Sequence, residues 1–195
     1  MGATSTRLPR RFETDRLILR CYTEDDASQY YAASLRNRDH LLPYESSNVL
    51  RSLTCEEHAR RTLHELAMLW STESCYFIGA FEKHSGDFVG QVYVGLFRED
   101  PAEFIVGYIV DCLREGKGYI TEAVGEVIRH VFDDLGAERI RIHCSQSNFR
   151  SRRVAERCGF QEESKFLEER PGPDGVAQED TTIVYVRLLN APKRA

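Results

Sequence analysis

Between Phe104 and Leu135 the chain runs from an apolar strand through a glycine-bracketed loop into a helix, and this segment limits the fold more than any other. "FIVGYIV" (104–110) is apolar on both faces, which predicts a strand buried in the middle of a sheet. From Gly118 onward Ile120, Ala123, Val124, Val127, Ile128, Val131, Phe132 and Leu135 fall on one stripe, which predicts a helix lying on that sheet. The loop between them brings Gly116 and Gly118 to the helix start. There the first turn leaves backbone N–H groups unpaired at the positive end of the dipole. Glycines let a ligand approach that backbone closely, so the stretch suits a phosphate or pyrophosphate. Read alone, it also fits a glycine turn that binds nothing. A P-loop is excluded because no Gly-x4-Gly-Lys-Ser/Thr run occurs, and Thr121 breaks the dinucleotide fingerprint.

The flanking sequence supplies the rest of a mixed domain. "RLILRCY" (16–22) predicts a strand, and Thr23 with Asp26 a helix cap leading into Ala27, Tyr30, Tyr31, Ser34 and Leu35 at helical spacing. Thr54 and Glu57 form a capping box before a helix with an inner stripe of Ala59, Leu63, Leu66, Ala67 and Trp70. Strands follow at 75–82 and 87–97, joined by the turn "KHSG" (83–86). After the long helix come a strand at 139–144, a short helix over 148–158 stopped by Gly159, and strands near 162–169 and 181–188 around "RPGPDG" (170–175). The order β-α-α-β-β-β-α-β-α-β-β predicts an α/β (α+β) domain, with a largely antiparallel central sheet flanked by helices over residues 12–188. Residues 1–11 and 189–195 read as tails.

Composition narrows the function classes. A net charge of −5 over 195 residues argues against direct nucleic-acid binding, which usually shows as a basic excess. The six cysteines have neither Cys-x-x-Cys nor metal-ligand spacing, so no metal is expected, and scattered thiols fit a reducing cytoplasm. No apolar run is long enough to span a membrane. Gly2 and Thr6 match the loose myristoylation pattern, which is short enough to arise by chance.

"VGYIVD" (106–111), "REGKGYITEA" (114–123) and "NFRSRRVAERCGF" (148–160) together resemble the GNAT superfamily of acyl-CoA N-acyltransferases, above all its ribosomal-protein N-terminal acetyltransferases. The resemblance extends to "ETDRLILR" (13–20), "HLLPYE" (40–45) and the segment from Trp70 to Phe81. It implies acetyl-CoA as acyl donor and direct transfer to an amine: a protein N-terminus, or a small amine such as a polyamine, amino acid or aminoglycoside. A non-catalytic acyl-CoA-binding module is a third reading, and the molecule would be a monomer or homodimer. In the family pattern Gln/Arg-x-x-Gly-x-Gly/Ala the first position is Glu115, the glycine is Gly118 and the last small residue is Ile120, so two of the three depart. Glu115 is then expected to point to solvent, with Arg114 supplying positive charge.

The same resemblance assigns roles. The amides of Gly116, Lys117, Gly118 and Tyr119 would grip the pyrophosphate, and the backbone of Tyr108, Ile109 and Val110 would hold and polarise the thioester. Asn148 would hold the pantetheine arm, and Arg153, among the arginines at 150, 152, 153 and 157, would meet the 3′-phosphate. Ser151 would face the leaving sulfur, no tyrosine lying between 145 and 160 to take that place. Glu103 would act as base through a water, since the position relatives use is Ile105 here. Tyr44 and Glu45 would shape the amine pocket. Cys144 allows a covalent route in principle, against a structural thiol.

Overall fold

A computed structural model describes residues 7–45, 48–171 and 176–189, with only the backbone of Arg170, Pro171 and Ala177. The strands are β1 (Arg11–Glu13), β2 (Leu17–Cys21), β3 (Cys75–Glu82), β4 (Phe88–Arg98), β5 (Glu103–Val110), β6 (Arg139–Ser145), β7 (Gln161–Pro171) and β8 (Ala177–Leu188). The helices are α1 (Ala27–Leu41), α2 (Val49–Ser52), α3 (Glu56–Ser71), α4 (Tyr119–Asp133) and α5 (Phe149–Arg157). One sheet runs in the order β1-β2-β3-β4-β5-β6-β8-β7, antiparallel except where β5 meets β6. The mixed, helix-flanked fold is the one the element order predicts. Residues 172–175 of the loop, and Gly2 and Thr6, lie outside the described residues.

Hydrophobic periodicity explains the layers. On α4, Ala123, Val124, Val127, Ile128 and Val131 are fully buried against Val92, Val94 and Val106. Each such side chain contributes about 1.5–3 kcal/mol by leaving water. The opposite face packs Tyr30 and Ala33 of α1 and Ala59, Leu63 and Leu66 of α3 against Phe81, Phe88 and Ile109. Alternation along β5 therefore sends Val106 and Tyr108 toward α4 and Ile109 toward α1 and α3.

Three local expectations change. Helix α3 is capped by Cys55 rather than Thr54: its Sγ accepts from His58 N at 3.4 Å. The Thr23–Asp26 cap stands, with Thr23 N donating to Asp26 Oδ2 at 2.8 Å. Two short elements, β1 and α2, are additional, and Leu8 is buried at 1% exposure, so the packed core starts before residue 12. Helix α1 also continues past Leu35 through "RNRDHL", which has no apolar stripe. What fixes this last stretch is polar. Buried Asn37 accepts from Cys112 N at 2.8 Å, and Arg36 Nε donates to buried Asp111 at 2.7 Å. Those two contacts pin the end of β5 where its loop begins.

The decisive feature lies between β5 and β6. Their parallel pairing covers Glu103↔Arg139, Phe104↔Ile140 and Ile105↔Arg141, and stops there. Strand β5 continues to Val110 while β6 follows β8 along its full length, from Arg139↔Leu188 to Ser145↔Thr182. The edge of β5 from Val106 to Val110 is thus left open toward β6.

Candidate active site

A cleft of about 400 Å³ opens beside that free edge. Its walls are the end of β5, the loop into α4, the start of α5 and the end of α1. Among the residues singled out from sequence, Tyr108, Ile109, Val110, Arg114, Gly116, Gly118, Tyr119, Asn148, Ser151, Arg153, Tyr44 and Glu45 all line it. Lys117 and Glu103 do not.

The loop is shaped by backbone conformations that only glycine adopts without strain. Gly116 has φ +73° and Gly118, the N-cap of α4, has φ +77°. Arg16, which carried no sequence signal of its own, braces this turn from the far side. Its Nη1 donates to Lys117 O at 3.0 Å, its guanidinium lies over the Tyr119 ring at 4.4 Å, and it pairs with Glu122 at 2.6 Å. Thr14 Oγ1 also donates to Glu122 at 2.5 Å. Burial raises the Glu122 pKa, but these bonds outweigh it and hold the carboxyl below its ordinary value. Lys117 therefore contributes a carbonyl to the brace, and its exposed side chain stays off the cleft wall.

The charges are arranged differently from the expectation. Arg114 lines the cleft, yet its guanidinium is committed to Glu82 at 3.0 Å and to Asp87. Glu115 does not point to solvent. Arg150 Nη1 lies 2.6 Å and His40 Nε2 3.2 Å from its carboxylate, so it is neutralised on the wall between α1 and α5. Arg153 and Arg157 line the cleft with no ion pair among the described residues. Arg152 turns away to Tyr185 Oη and Gln146 O. The positive φ cradle, the open amides and two uncommitted arginines suit a diphosphate carrying a further phosphate.

Where β5 faces α5, a pair of hydroxyls meets. Ser151 Oγ donates to Tyr108 Oη at 3.1 Å, and Tyr108 Oη donates to Ser151 O at 2.8 Å. Burial pushes the Tyr108 pKa up, so the phenol keeps its proton. Residues 145–160 hold no tyrosine, and the phenol beside Ser151 comes instead from β5. Asn148 caps α5 by accepting from Ser151 N at 3.1 Å, which leaves its Nδ2 for a ligand. Cys144 is buried, lines neither this cleft nor the next, and has the place of a structural thiol.

Glu103 is a correction. It sits at the closed end of β5, fully buried, with Arg139 Nε and Arg141 Nη2 each at 2.6 Å and Arg98 Nη2 at 3.1 Å. Burial raises its pKa, but hydrogen bonds from Arg141 and Arg139 outweigh that and hold it below the ordinary 4.5, the reverse of what a base needs. Because the folded pKa is depressed, its stabilisation is complete above 4.5 and is lost as pH falls through the lower folded value. A Glu103→Gln variant leaves three arginines around a neutral amide. It is expected to lose about 3 kcal/mol in urea unfolding with turnover unchanged at permissive temperature. A variant of full stability and lost turnover would return Glu103 to the chemistry.

A second cleft of about 360 Å³ lies on the α1/α3 face of the same strands, lined by Asn48, Val49, Phe77, Gln91, Tyr93 and Gly107. The two clefts share Glu45, Tyr108 and Ile109. Glu45 is the one carboxylate common to both among the described residues. No group of His, Cys, Asp and Glu among those residues is placed to hold a metal, no disulfide joins the cysteines, and no helix is long and apolar enough to cross a membrane.

A sheet opened beside a glycine-capped helix, with a cleft on either side of the opening, defines an acetyltransferase class of fold. The chain belongs to the GNAT acetyltransferase family: residues 16–161 match the model of the acetyltransferase (GNAT) domain. The protein named probable N-acetyltransferase YjcK of Bacillus subtilis (strain 168) is 29% identical over 71% of this chain and 76% of its own length. The crystal structure of ribosomal-protein-S5-alanine acetyltransferase from Vibrio fischeri superposes with a TM-score of 0.81 at 23% identity, over 94% of this chain and 99% of that one. The acetyltransferase MccE, crystallised with acetyl-CoA and AMP, gives a TM-score of 0.80 at 19% identity over 94% and 99% of the two chains.

Proposed function

We propose that the chain is an N-acetyltransferase that uses acetyl-CoA to acetylate the N-terminal α-amine of a protein, with a ribosomal protein as the leading acceptor. The observation that carries this reading is the pair of clefts meeting at Glu45, Tyr108 and Ile109, one floored by open amides and the other free for an amine. The likeness to a ribosomal-protein alanine acetyltransferase supports the acceptor class. The absence of disulfides suits a reducing cytoplasm as the place of the reaction.

Acetyl-CoA supplies an acyl group activated as a thioester. The amides at Gly116, Gly118 and Tyr119 hold a diphosphate, and Arg153 and Arg157 hold a further phosphate. The open edge of β5 from Val106 to Val110 orients the acyl arm and turns N–H groups toward the carbonyl oxygen, where negative charge develops during attack. An α-amine has a pKa of about 8 and must lose a proton before it attacks. Glu45, reaching both clefts, takes that proton directly or through water. The Ser151 hydroxyl, whose hydrogen rests on Tyr108 Oη before the reaction, turns from it to donate to the departing sulfur. Since Tyr108 holds its proton tightly, its part is to orient Ser151 rather than to ionise.

Coenzyme A release measured on Ala- and Ser-terminated peptides, free and N-terminally blocked, tests the reading. Turnover confined to the free peptides supports it; tight acetyl-CoA binding without turnover on any amine favours a binding module. Ser151→Ala is expected to lower kcat about tenfold or more while acetyl-CoA affinity changes less than about twofold. An unchanged kcat removes Ser151 from the mechanism.

A further inference from the structure

We propose that the second cleft reads a carbonyl group beside the acceptor amine, through the side-chain amide of Gln91. The inference rests on the acetyltransferase reading and names the acceptor class: α-amino carbonyl compounds, meaning peptide N-termini and amino-acid amides, rather than polyamines.

Gln91 lies on β4 opposite Ile109 and is 3% exposed. Tyr22 Oη donates to its Oε1 at 3.0 Å and Tyr30 Oη at 3.1 Å. Both phenols are buried, at 1% and 0% exposure, and burial pushes both pKa values up, so both hydroxyls remain donors. Two buried O–H groups need two lone pairs, and one carbonyl oxygen has them. Turning the amide over would leave both phenolic hydrogens facing N–H donors, an arrangement that costs about 1–3 kcal/mol for each unmatched group. The tyrosines therefore fix the amide with Oε1 toward the α1 side. The polar group Gln91 has left for the cleft it lines is Nε2.

Among the described residues nothing accepts a hydrogen bond from that Nε2. An amide held in one orientation by two buried phenols, with its N–H donors opening on a cleft, is what a site looks like before its ligand brings an acceptor. The surroundings agree. Phe77 and Tyr93, with ring centroids 4.9 Å apart, and Val49 give the cleft an apolar wall, and Asn48, whose Oδ1 accepts from Leu50 N, lines it beside them. Gly107, opposite Tyr93, adds no side chain. An amine placed at the shared Glu45 carries its neighbouring carbon into this cleft. A peptide N-terminus presents a carbonyl oxygen there. A polyamine presents only methylenes and further cations, which leave Nε2 unmatched.

The test compares an Ala-terminated peptide with the same peptide carrying an (E)-alkene in place of its first peptide bond, rates being referred to the free-amine concentration. The wild-type enzyme is expected to lose at least about tenfold in kcat/KM on the alkene isostere, because a site built around a hydrogen bond rejects the analogue lacking it. Gln91→Glu keeps an acceptor for Tyr22 and Tyr30 and deletes the donor. It should lose about the same factor on the peptide and little on the isostere. Gln91→Met, checked by its urea unfolding curve, should show the same pattern. If either variant fails to fold, the isostere comparison on the wild-type protein decides alone. Equal wild-type rates on peptide and isostere, or a preference for spermidine, overturn the Gln91 assignment and leave the acetyltransferase reading standing. No coenzyme A release with any amine overturns both.

Discussion

A Gly107→Val variant should bind coenzyme A with unchanged affinity and lose at least about a hundredfold in kcat/KM for its amine. The reason is placement. Gly107 is a β5 residue facing Tyr93, and a Cβ added there meets nothing closer than Tyr93 carbons at 3.9 Å. The backbone tolerates a side chain, and valine suits a strand, so stability should hold or rise slightly. The branched group would occupy the second cleft, where the amine has to lie within reach of the thioester. Displacing a reacting atom by about 1 Å is enough to cost this factor. Gly107 does not line the donor cleft, so that cleft keeps its walls. Titration calorimetry with coenzyme A and steady-state kinetics on one peptide separate the two quantities. If both fall together, the clefts do not divide the work as assigned.

Gly118→Ala should act on the other side of the strand, weakening coenzyme A about 10- to 100-fold. The residue holds φ +77°, where an L side chain costs about 1–2 kcal/mol. A Cβ there would lie 3.6 Å from Arg16 Nη2, an ordinary contact, so the penalty is conformational rather than steric. Relaxing toward negative φ rotates the first amides of α4 away from the cleft and disturbs the Arg16 bond to Lys117 O. Each hydrogen bond to a charged group lost this way costs about 1.5–3 kcal/mol. Gly136→Ala is the control: its φ is +67°, nothing lies within 4 Å of an added Cβ, and it is off the cleft. The same strain there should leave the dissociation constant unchanged. Equal affinity for wild type and Gly118→Ala would remove the loop from the binding site.

Legibility in the sequence followed the kind of interaction. The stripe of α4 and the apolar runs of β3, β4 and β5 could be read because burial imposes a period on residue type. The last two turns of α1 could not, since Arg36 and Asn37 are held by Asp111 and the backbone at Cys112, partners 75 residues away. The three-residue β1 and four-residue α2 are too short to carry any period. Glu103 shows the same limit at the site. Its strand parity was right for a base, but three arginines from β4 and β6 close around it. Tyr108 shows it in reverse: its phenol, from β5, meets Ser151 on α5, a contact between residues 43 positions apart.

The sequence by itself determined the strand, the glycine turn and the helix that follows, because backbone conformation at Gly116 and Gly118 and the stripe of α4 are local properties. It also settled the family, through motifs that are contiguous in the chain. Only the tertiary structure decided which charges remain available: Arg114 and Glu115 are neutralised, Arg153 and Arg157 are not, and Gln91 is turned by two tyrosines. Those outcomes depend on distances between groups far apart in the chain, and an electrostatic or hydrogen-bond partner is chosen by proximity in space, which no spacing along the sequence encodes.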